Sequence, residues 1–369
     1  MTNHPPRPDA INRRTLLGLG TASALALGTA SAVEQPKTGT EYLADAASNS
    51  VAPNLHPPVV QVKGGKLRGL KDGRVFTFLG IPYAQAERFG LPKPVPAWEG
   101  IKGAQVWGPV CPIPQANSVG TDDVVFPHRY WVENENCHVL NVWTQSLYSS
   151  AKRPVMVWMH GGGFTNGSSM ESYAYDGKTV SEFGDVVAVS VNHRLNIIGT
   201  LDLSAYGAEY ANCRYTGMAD LVAALERVRD NIEAFGGDPG NVTIFGQSGG
   251  GGKVTRLMQM PSAKGLFHRA ISESGGALNY RETDPAKSIE HQQAIAAATL
   301  KNLGLDGSRI DELKKVPYRD LLAAGTAAMQ AVAKQTGVRR MGWDVIADDQ
   351  TCYVSFATGQ RRFHTWPEP

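Results

Sequence analysis

The residues best suited to chemistry are a serine held among glycines and a histidine followed by three glycines. Ser248 stands in Gly246-Gln247-Ser248-Gly249-Gly250, a G-x-S-x-G pattern in which a serine caps a sharp strand-to-helix turn. Glycines flank such a serine because side chains in so tight a turn would collide with neighbouring backbone. His160-Gly161-Gly162-Gly163-Phe164 is the second pattern. Successive glycines allow backbone N–H groups to approach a developing oxyanion closely, and losing one such donor costs about a hundred- to a thousandfold in rate. A serine nucleophile and a glycine-lined N–H cradle in one chain together indicate acyl transfer.

Both loops need elements to aim them. Val242-Thr243-Ile244-Phe245 reads as a short buried strand leading into Ser248. Before it, apolar residues at Met218, Leu221, Val222, Leu225, Val228, Ile232 and Phe235 have helical spacing, with Glu226, Arg229, Asp230 and Glu233 on the wet side. Gly236-Gly237-Asp238-Pro239-Gly240 ends that helix. Val155-Met156-Val157-Trp158-Met159 is a continuous apolar run, expected to be a strand covered on both faces, and the His160 loop follows it directly. Helix, turn, strand, serine and glycine-rich helix start form the context that a nucleophile elbow requires.

From about Pro58 to Gly276 the chain resembles the type-B carboxylesterases, the family that includes the cholinesterases. The resemblance rests on FLGIPYAQAERF (78–89), WGPVCPIPQ (107–115), ENCHVLNVW (135–143), VMVWMHGGGF (155–164), VSVNHRL (189–195), NIEAFGGDPGNVTIFGQSGGGG (231–252) and RAISESG (269–275). A neighbouring lipase family shares the glycine loop and elbow but not the GGDPGNVTIFGQSGG run. The resemblance implies an α/β-hydrolase fold, α/β in class, with a large mostly parallel mixed sheet and helices on both faces. It implies Ser248 as the acyl-enzyme nucleophile and the N–H groups of Gly162, Gly163 and Gly249 as oxyanion donors. It also implies a disulfide between Cys111 and Cys137, which in the chain-entropy picture stabilises by ~3–4 kcal/mol. Cys213 and Cys352 have no evident partner.

The order in this fold is serine, then acid, then histidine. After Ser248 the chain offers His268, His291 and His364, with Asp344, Asp348 and Asp349 before the last. His268 precedes the expected strand Arg269-Ala270-Ile271 and reads as structural, while His291 falls on the solvated face of a helical run from Ser288 to Leu303. His138 and His193 precede the nucleophile and would break the order. The family's acid and histidine come from a longer continuation than this chain has, so they are unassigned, and the expectation is a truncated or frame-altered product with an open sheet edge. Residues 342–369 form an atypical tail after a domain spanning 58–341. Arg227 also departs from the family, which carries a tryptophan on the helix before the elbow, and is expected to cost core packing.

Three functional readings stay open: a carboxylic ester hydrolase working through acyl-Ser248, a catalytically crippled remnant of one, and a non-catalytic binding protein on the same fold. Retention of Ser248 and the intact glycine loop weighs against the third. The expected partner is a small-molecule carboxylic ester. No C-x-x-C pair or histidine cluster suggests a metal, and no cofactor is expected. A hydrophobic fraction of 42% with 19% charged residues suits a globular enzyme. No basic stripe with interleaved aromatics points to nucleic acid.

The first 32 residues read as an address. Asn12-Arg13-Arg14-Thr15-Leu16-Leu17 resembles a twin-arginine export signal, and Ala30-Ser31-Ala32 offers an A-x-A cleavage site. The apolar stretch from Leu16 to Ala30 is too short and too rich in Gly, Ser and Thr for a stable membrane anchor. A flexible segment at 33–57 would follow, and the mature chain would be periplasmic or extracellular. Residues 1–32 hold the chain's net +2, so the remainder is near neutral.

Overall fold

The computed structural model describes residues 57–114, 128–275, 285–338 and 341–345. These belong to one compact unit, Val51–Pro369. The expected signal segment, nearly all of the linker and most of the 342–369 tail lie outside the described residues, as do Cys352, His364, Asp348 and Asp349.

Among the described residues there are twelve strands, and from Arg153 onward they alternate with helices. β1 (Val59–Val62), β2 (Gly65–Arg68) and β7 (Ile101–Gly103) make a small sheet, and β5 (Ala84–Gln85) pairs with β6 (Lys93–Pro94). The main sheet uses β3 (Leu70–Asp72), β4 (Val75–Pro82), β8 (Val139–Thr144), β9 (Arg153–Met159), β10 (Val187–Val191), β11 (Gly237–Gln247) and β12 (Arg269–Glu273). Their order is β12-β11-β9-β10-β8-β4-β3. The first four are mutually parallel, whereas β10–β8, β8–β4 and β4–β3 are antiparallel. Crossovers between parallel strands need intervening helices, and the glycine-punctuated helical stretches supply them.

The helices are α1 (Gly177–Gly184), α2 (Asn196–Thr200), α3 (Thr216–Asn231), α4 (Gly249–Gln259), α5 (Pro285–Asn302) and α6 (Tyr318–Thr336). α3 realises the expected amphipathic helix, with its last apolar pair, Ile232 and Phe235, in a 3₁₀ turn that ends at Gly236 in the left-handed region. Met218, Leu221, Leu225 and Val228 are buried together with Val155, Val157, Val242 and Ile244 from the sheet. A second core joins Leu195, Ile197, Leu201 and Leu203 to Ile295 and Leu300 of α5 and to Leu321 and Val332 of α6. Trp343 and Val345, inside the stretch set apart as a tail, are buried in these cores.

Three expectations change in three dimensions. β9 is not covered equally on both faces: Val155, Val157 and Met159 are buried, whereas Met156 and Trp158 are half-exposed on the other face. There Trp158 packs against both Tyr175 and Phe245 in tilted ring contacts, each with centroids 5.0 Å apart. His291 is half-buried on α5 rather than on a solvated face. Arg227 borders the core rather than filling it: Nη1 donates to Lys63 O at 2.7 Å, while Nη2 is buried beside the apolar cluster with no hydrogen-bond partner among the described residues. β12 is the outermost strand of the sheet among the described residues, and Ile271 on it is 43% exposed.

One buried ion pair ties the parallel half of the sheet to α3. Asp220 is fully buried and accepts from Arg194 Nε at 2.8 Å and from the Arg194 backbone N at 3.0 Å; a third bond comes from Arg194 Nη2 at 2.6 Å. His138 Nε2 lies 3.1 Å from the same carboxylate. Arg194 also donates to Glu87 O and Gly90 O. Burial works against the Asp220 charge, but Arg194 and His138 overcome it and hold the carboxyl well below its ordinary range. Its stabilising contribution is therefore present throughout the neutral range and is lost only in strong acid. Asp220→Asn leaves the Arg194 charge buried without a counterion and is expected to cost ~3–5 kcal/mol, read as a lower midpoint in urea unfolding.

Candidate active site

Strand register brings the two glycine loops together. β11 runs parallel to β9 with Phe245 opposite Trp158 and Gly246 opposite Met159. The next residues of each strand, Gln247-Ser248 and His160-Gly161, therefore leave the sheet side by side at its carboxyl edge. This is where ligands collect in open α/β sheets.

Ser248 sits at φ 54°, ψ −121°, between the end of β11 and the first turn of α4. Such a backbone costs a non-glycine residue on the order of 1–3 kcal/mol. Hydrogen bonds hold it there, from Ser248 N to Glu273 O at 2.8 Å and from Gly252 N to Ser248 O at 3.0 Å. The serine is exposed at the tip of the elbow.

The glycines on either side are explained by close approach. A Cβ on Gly246 would lie 2.5 Å from the carbonyl carbon of Gly250 and 2.7 Å from Met159 O. A Cβ on Gly250 would collide with Met159 O. The helix thus packs on the end of β9 with no room for a methyl group. Gly252 is different, since its Cβ would meet only Gly275 O at 3.7 Å.

The second loop curls over the serine. Gly162 and Gly163 take φ values of +82° and +63°, left-handed conformations that side chains rarely adopt. Asn166 N donates to Gly162 O at 2.9 Å, closing a turn. A Cβ placed on Gly161 would lie 3.9 Å from Ser248 Cβ, and one on Gly249 would collide with Gly163 N. Gly161 thus lies beside Ser248 and Gly249 lies against Gly163, so the glycine loop and the elbow meet at the serine. Among the described residues, none of the N–H groups of Gly162, Gly163 and Gly249 is engaged by another protein group.

Behind the loop the side chains are buried. His160 is buried, and burial drives its pKa well below the ordinary value, helped by the nearby Lys253 charge. It stacks on buried His193 with ring centroids 5.2 Å apart, and burial lowers His193 to about 3. Both are neutral at physiological pH. Lys253 on α4 has no exposed surface. Its Nζ donates to His160 O at 2.8 Å and lies 3.4 Å from Gly161 O. Sequence reasoning missed this lysine. The available signal was its place on the apolar stripe of α4, one residue before Val254 and four before Leu257.

No base or acid partner joins the serine among the described residues: no histidine or carboxylate side chain is hydrogen-bonded to Ser248. His268 is structural, as expected, because its Nδ1 accepts from Val242 N at 3.1 Å. Cys111 and Cys137, expected to be joined, stand as free thiols in the structure. The two residues are buried neighbouring thiols, hydrogen-bonded to one another, and burial raises the Cys137 pKa. Cys111 Sγ also accepts from Leu195 N at 3.2 Å. Cys213 is likewise a buried thiol, donating to Leu201 O at 3.0 Å, with its pKa pushed up to about 12. No metal-holding group of three or more His, Cys, Asp or Glu occurs among the described residues.

Residues 56–354 match the Carboxylesterase family. The chain belongs to this family. It is 35% identical over 297 residues to the para-nitrobenzyl esterase of Bacillus subtilis (strain 168), covering 79% of this chain and 57% of that protein. It is 38% identical over 256 residues to carboxylesterase 1F of Mus musculus, covering 65% of this chain and 44% of the relative. Among solved structures, an esterase from Clostridium hathewayi described as able to hydrolyse aliphatic aromatic polyesters superposes with a TM-score of 0.73 at 51% identity. That superposition covers 80% of this chain and 57% of the esterase. A structure titled thermophilic PNB esterase gives 0.69 at 36% identity, covering 80% and 59%. The fold is the α/β-hydrolase fold, and the chain spans about half the length of the relatives it matches.

The glycine run makes opposite outcomes testable at neighbouring positions. Gly250→Ala is expected to destabilise by ~2–3 kcal/mol, because rigid backbone must yield. Gly252→Ala should instead stabilise by up to ~1 kcal/mol through helix propensity. Thermal or urea unfolding of the two variants separates them.

Proposed function

We propose that this protein acts on carboxylic esters through an acyl-enzyme on Ser248. The observation that carries this is the strained, exposed Ser248 where the glycine loop meets the first turn of α4, with the N–H groups of Gly162, Gly163 and Gly249 unengaged among the described residues. The Ser248 Oγ would add to the ester carbonyl carbon, and the carbonyl oxygen, now negative, would lie among the N–H groups of Gly162, Gly163 and Gly249. Collapse of that intermediate expels the alcohol, which carries away a proton. Water then releases the acid and returns a proton to Ser248. Because the donors are backbone groups locked by turns, they need no reorganisation as charge develops.

A second reading is favoured by one observation, the lack of a base or acid on Ser248 among the described residues. An oxyanion hole and binding without a complete triad keep only ~10³–10⁴-fold acceleration over water. In this reading the site is an attenuated esterase that acylates slowly. Incubating the protein with a fluorophosphonate probe and a p-nitrophenyl short-chain ester decides between them, with Ser248→Ala as control. A working triad gives labelling within minutes and turnover, both abolished in Ser248→Ala. Slow labelling with turnover reduced ~10⁶-fold, the cost of losing a serine-hydrolase base, supports the attenuated site. No labelling of folded protein overturns both.

We also infer that the chain is exported, cleaved after Ala32 and oxidised at Cys111 and Cys137. The twin-arginine pattern and the two adjacent buried thiols support this. Intact mass of the protein from its native host should correspond to a chain starting at Val33 and lighter by two hydrogens. A full-length mass in the cytosolic fraction would count against it.

A further inference from the structure

Lys253 is unusual on general grounds, since lysine is almost never fully buried unless paired with a carboxylate. Here its hydrogen bonds go to the carbonyls of the glycine loop. The geometry has a direct consequence. Gly161 C=O and Gly162 N–H belong to the same peptide unit. Gly161 O also receives His160 Nδ1, at 2.9 Å, in addition to the Lys253 ammonium at 3.4 Å. A charge placed against the carbonyl end of a peptide polarises it and strengthens its N–H as a donor.

We propose that Lys253 is a positioning residue for the oxyanion loop: its buried ammonium grips the His160 and Gly161 carbonyls, fixing the Gly161–Gly162 peptide plane and polarising the Gly162 N–H. This rests on the oxyanion role assigned above to Gly162. The structure favours it over a purely packing role, because the side chain ends on two polar atoms of the loop instead of apolar neighbours.

The charge is also conditional. Burial lowers the Lys253 pKa to about 7, countered by Glu171 and Cys111. The other groups facing this region are His160 and His193, both neutral near pH 7, and Asp220 beyond His193. The folded-state value lies below that of an unfolded lysine, so the charged form costs stability. That cost is fully present below about pH 7 and fades as pH rises toward the unfolded value of ~10.4.

The test uses the full chain and Lys253→Met, which keeps length and removes charge. With glycine amides labelled with ¹⁵N, the Gly161 and Gly162 resonances of the wild type should titrate together with a midpoint near 7, and those of Lys253→Met should not. A wild type whose Gly161 and Gly162 resonances stay flat between roughly pH 5.5 and 9 overturns the proposal, whether or not the variant folds. In ester hydrolysis, Lys253→Met should lower kcat about tenfold or more with KM within about twofold. Its Tm should equal or exceed that of the wild type, by a margin that narrows from pH 6 to 9. An unchanged kcat, or kcat and Tm falling together, also overturns it. A wild type that titrates but neither turns over nor labels at Ser248 leaves the lysine grip supported and counts against the esterase reading instead.

Discussion

The parallel pairing of β9 with β11 is the constraint on which the site depends. With Gly246 opposite Met159, the two strands end level, and the residues that follow must share the space above one strand gap. A slip of one residue would turn every side chain of β11 to the opposite face and carry Ser248 away from the glycine loop. The register is held by burial of Val155, Val157, Val242 and Ile244 under α3, so hydrophobic packing well below the site sets its geometry.

Close approach does the rest. α4 starts so near the end of β9 that only glycine fits at 246 and 250, and the resulting turn forces Ser248 into its left-handed backbone. Strain at a single serine is sustained because its N–H and C=O are both held, by Glu273 O and Gly252 N. The same proximity places Gly249 against Gly163, so the elbow and the glycine loop form one backbone surface.

Polar groups buried behind this surface are organised in two layers. The Arg194–Asp220 pair, with His138 beside it, fixes the chain leaving β10 to α3 and reaches the 87–90 turn. Nearer the loop, neutral His160 and His193 stack while Lys253 holds the carbonyls. Each charged group has defined partners, as buried charges must. The site therefore sits on an electrostatic support as well as an apolar core, and the support is sensitive to removal of either charge.

Much of the fold was readable in the chain. Val242–Phe245 is apolar and β-branched, Met218–Phe235 repeats at helical spacing, and glycines mark both loops, so strand, helix and elbow follow from local preferences and patterning. The family signature added the sheet and the roles expected of Ser248, Gly162, Gly163 and Gly249. What local pattern does not contain is which face of a strand finds a cover, or where a long side chain ends. Trp158 and Met156 look like core residues but lie on the half-open face of β9, and Arg227 looks misplaced until its guanidinium reaches Lys63 O. Cys111 and Cys137 were paired by resemblance, and the structure brings their thiols together without joining them. Lys253 shows the difference most clearly. In the sequence it is one cation in a glycine-rich helix, and its role follows only from the backbone carbonyls that packing of α4 against β9 brings within reach. Covalent neighbours determined the elements, whereas contacts between residues nearly a hundred positions apart decided the electrostatics of the site.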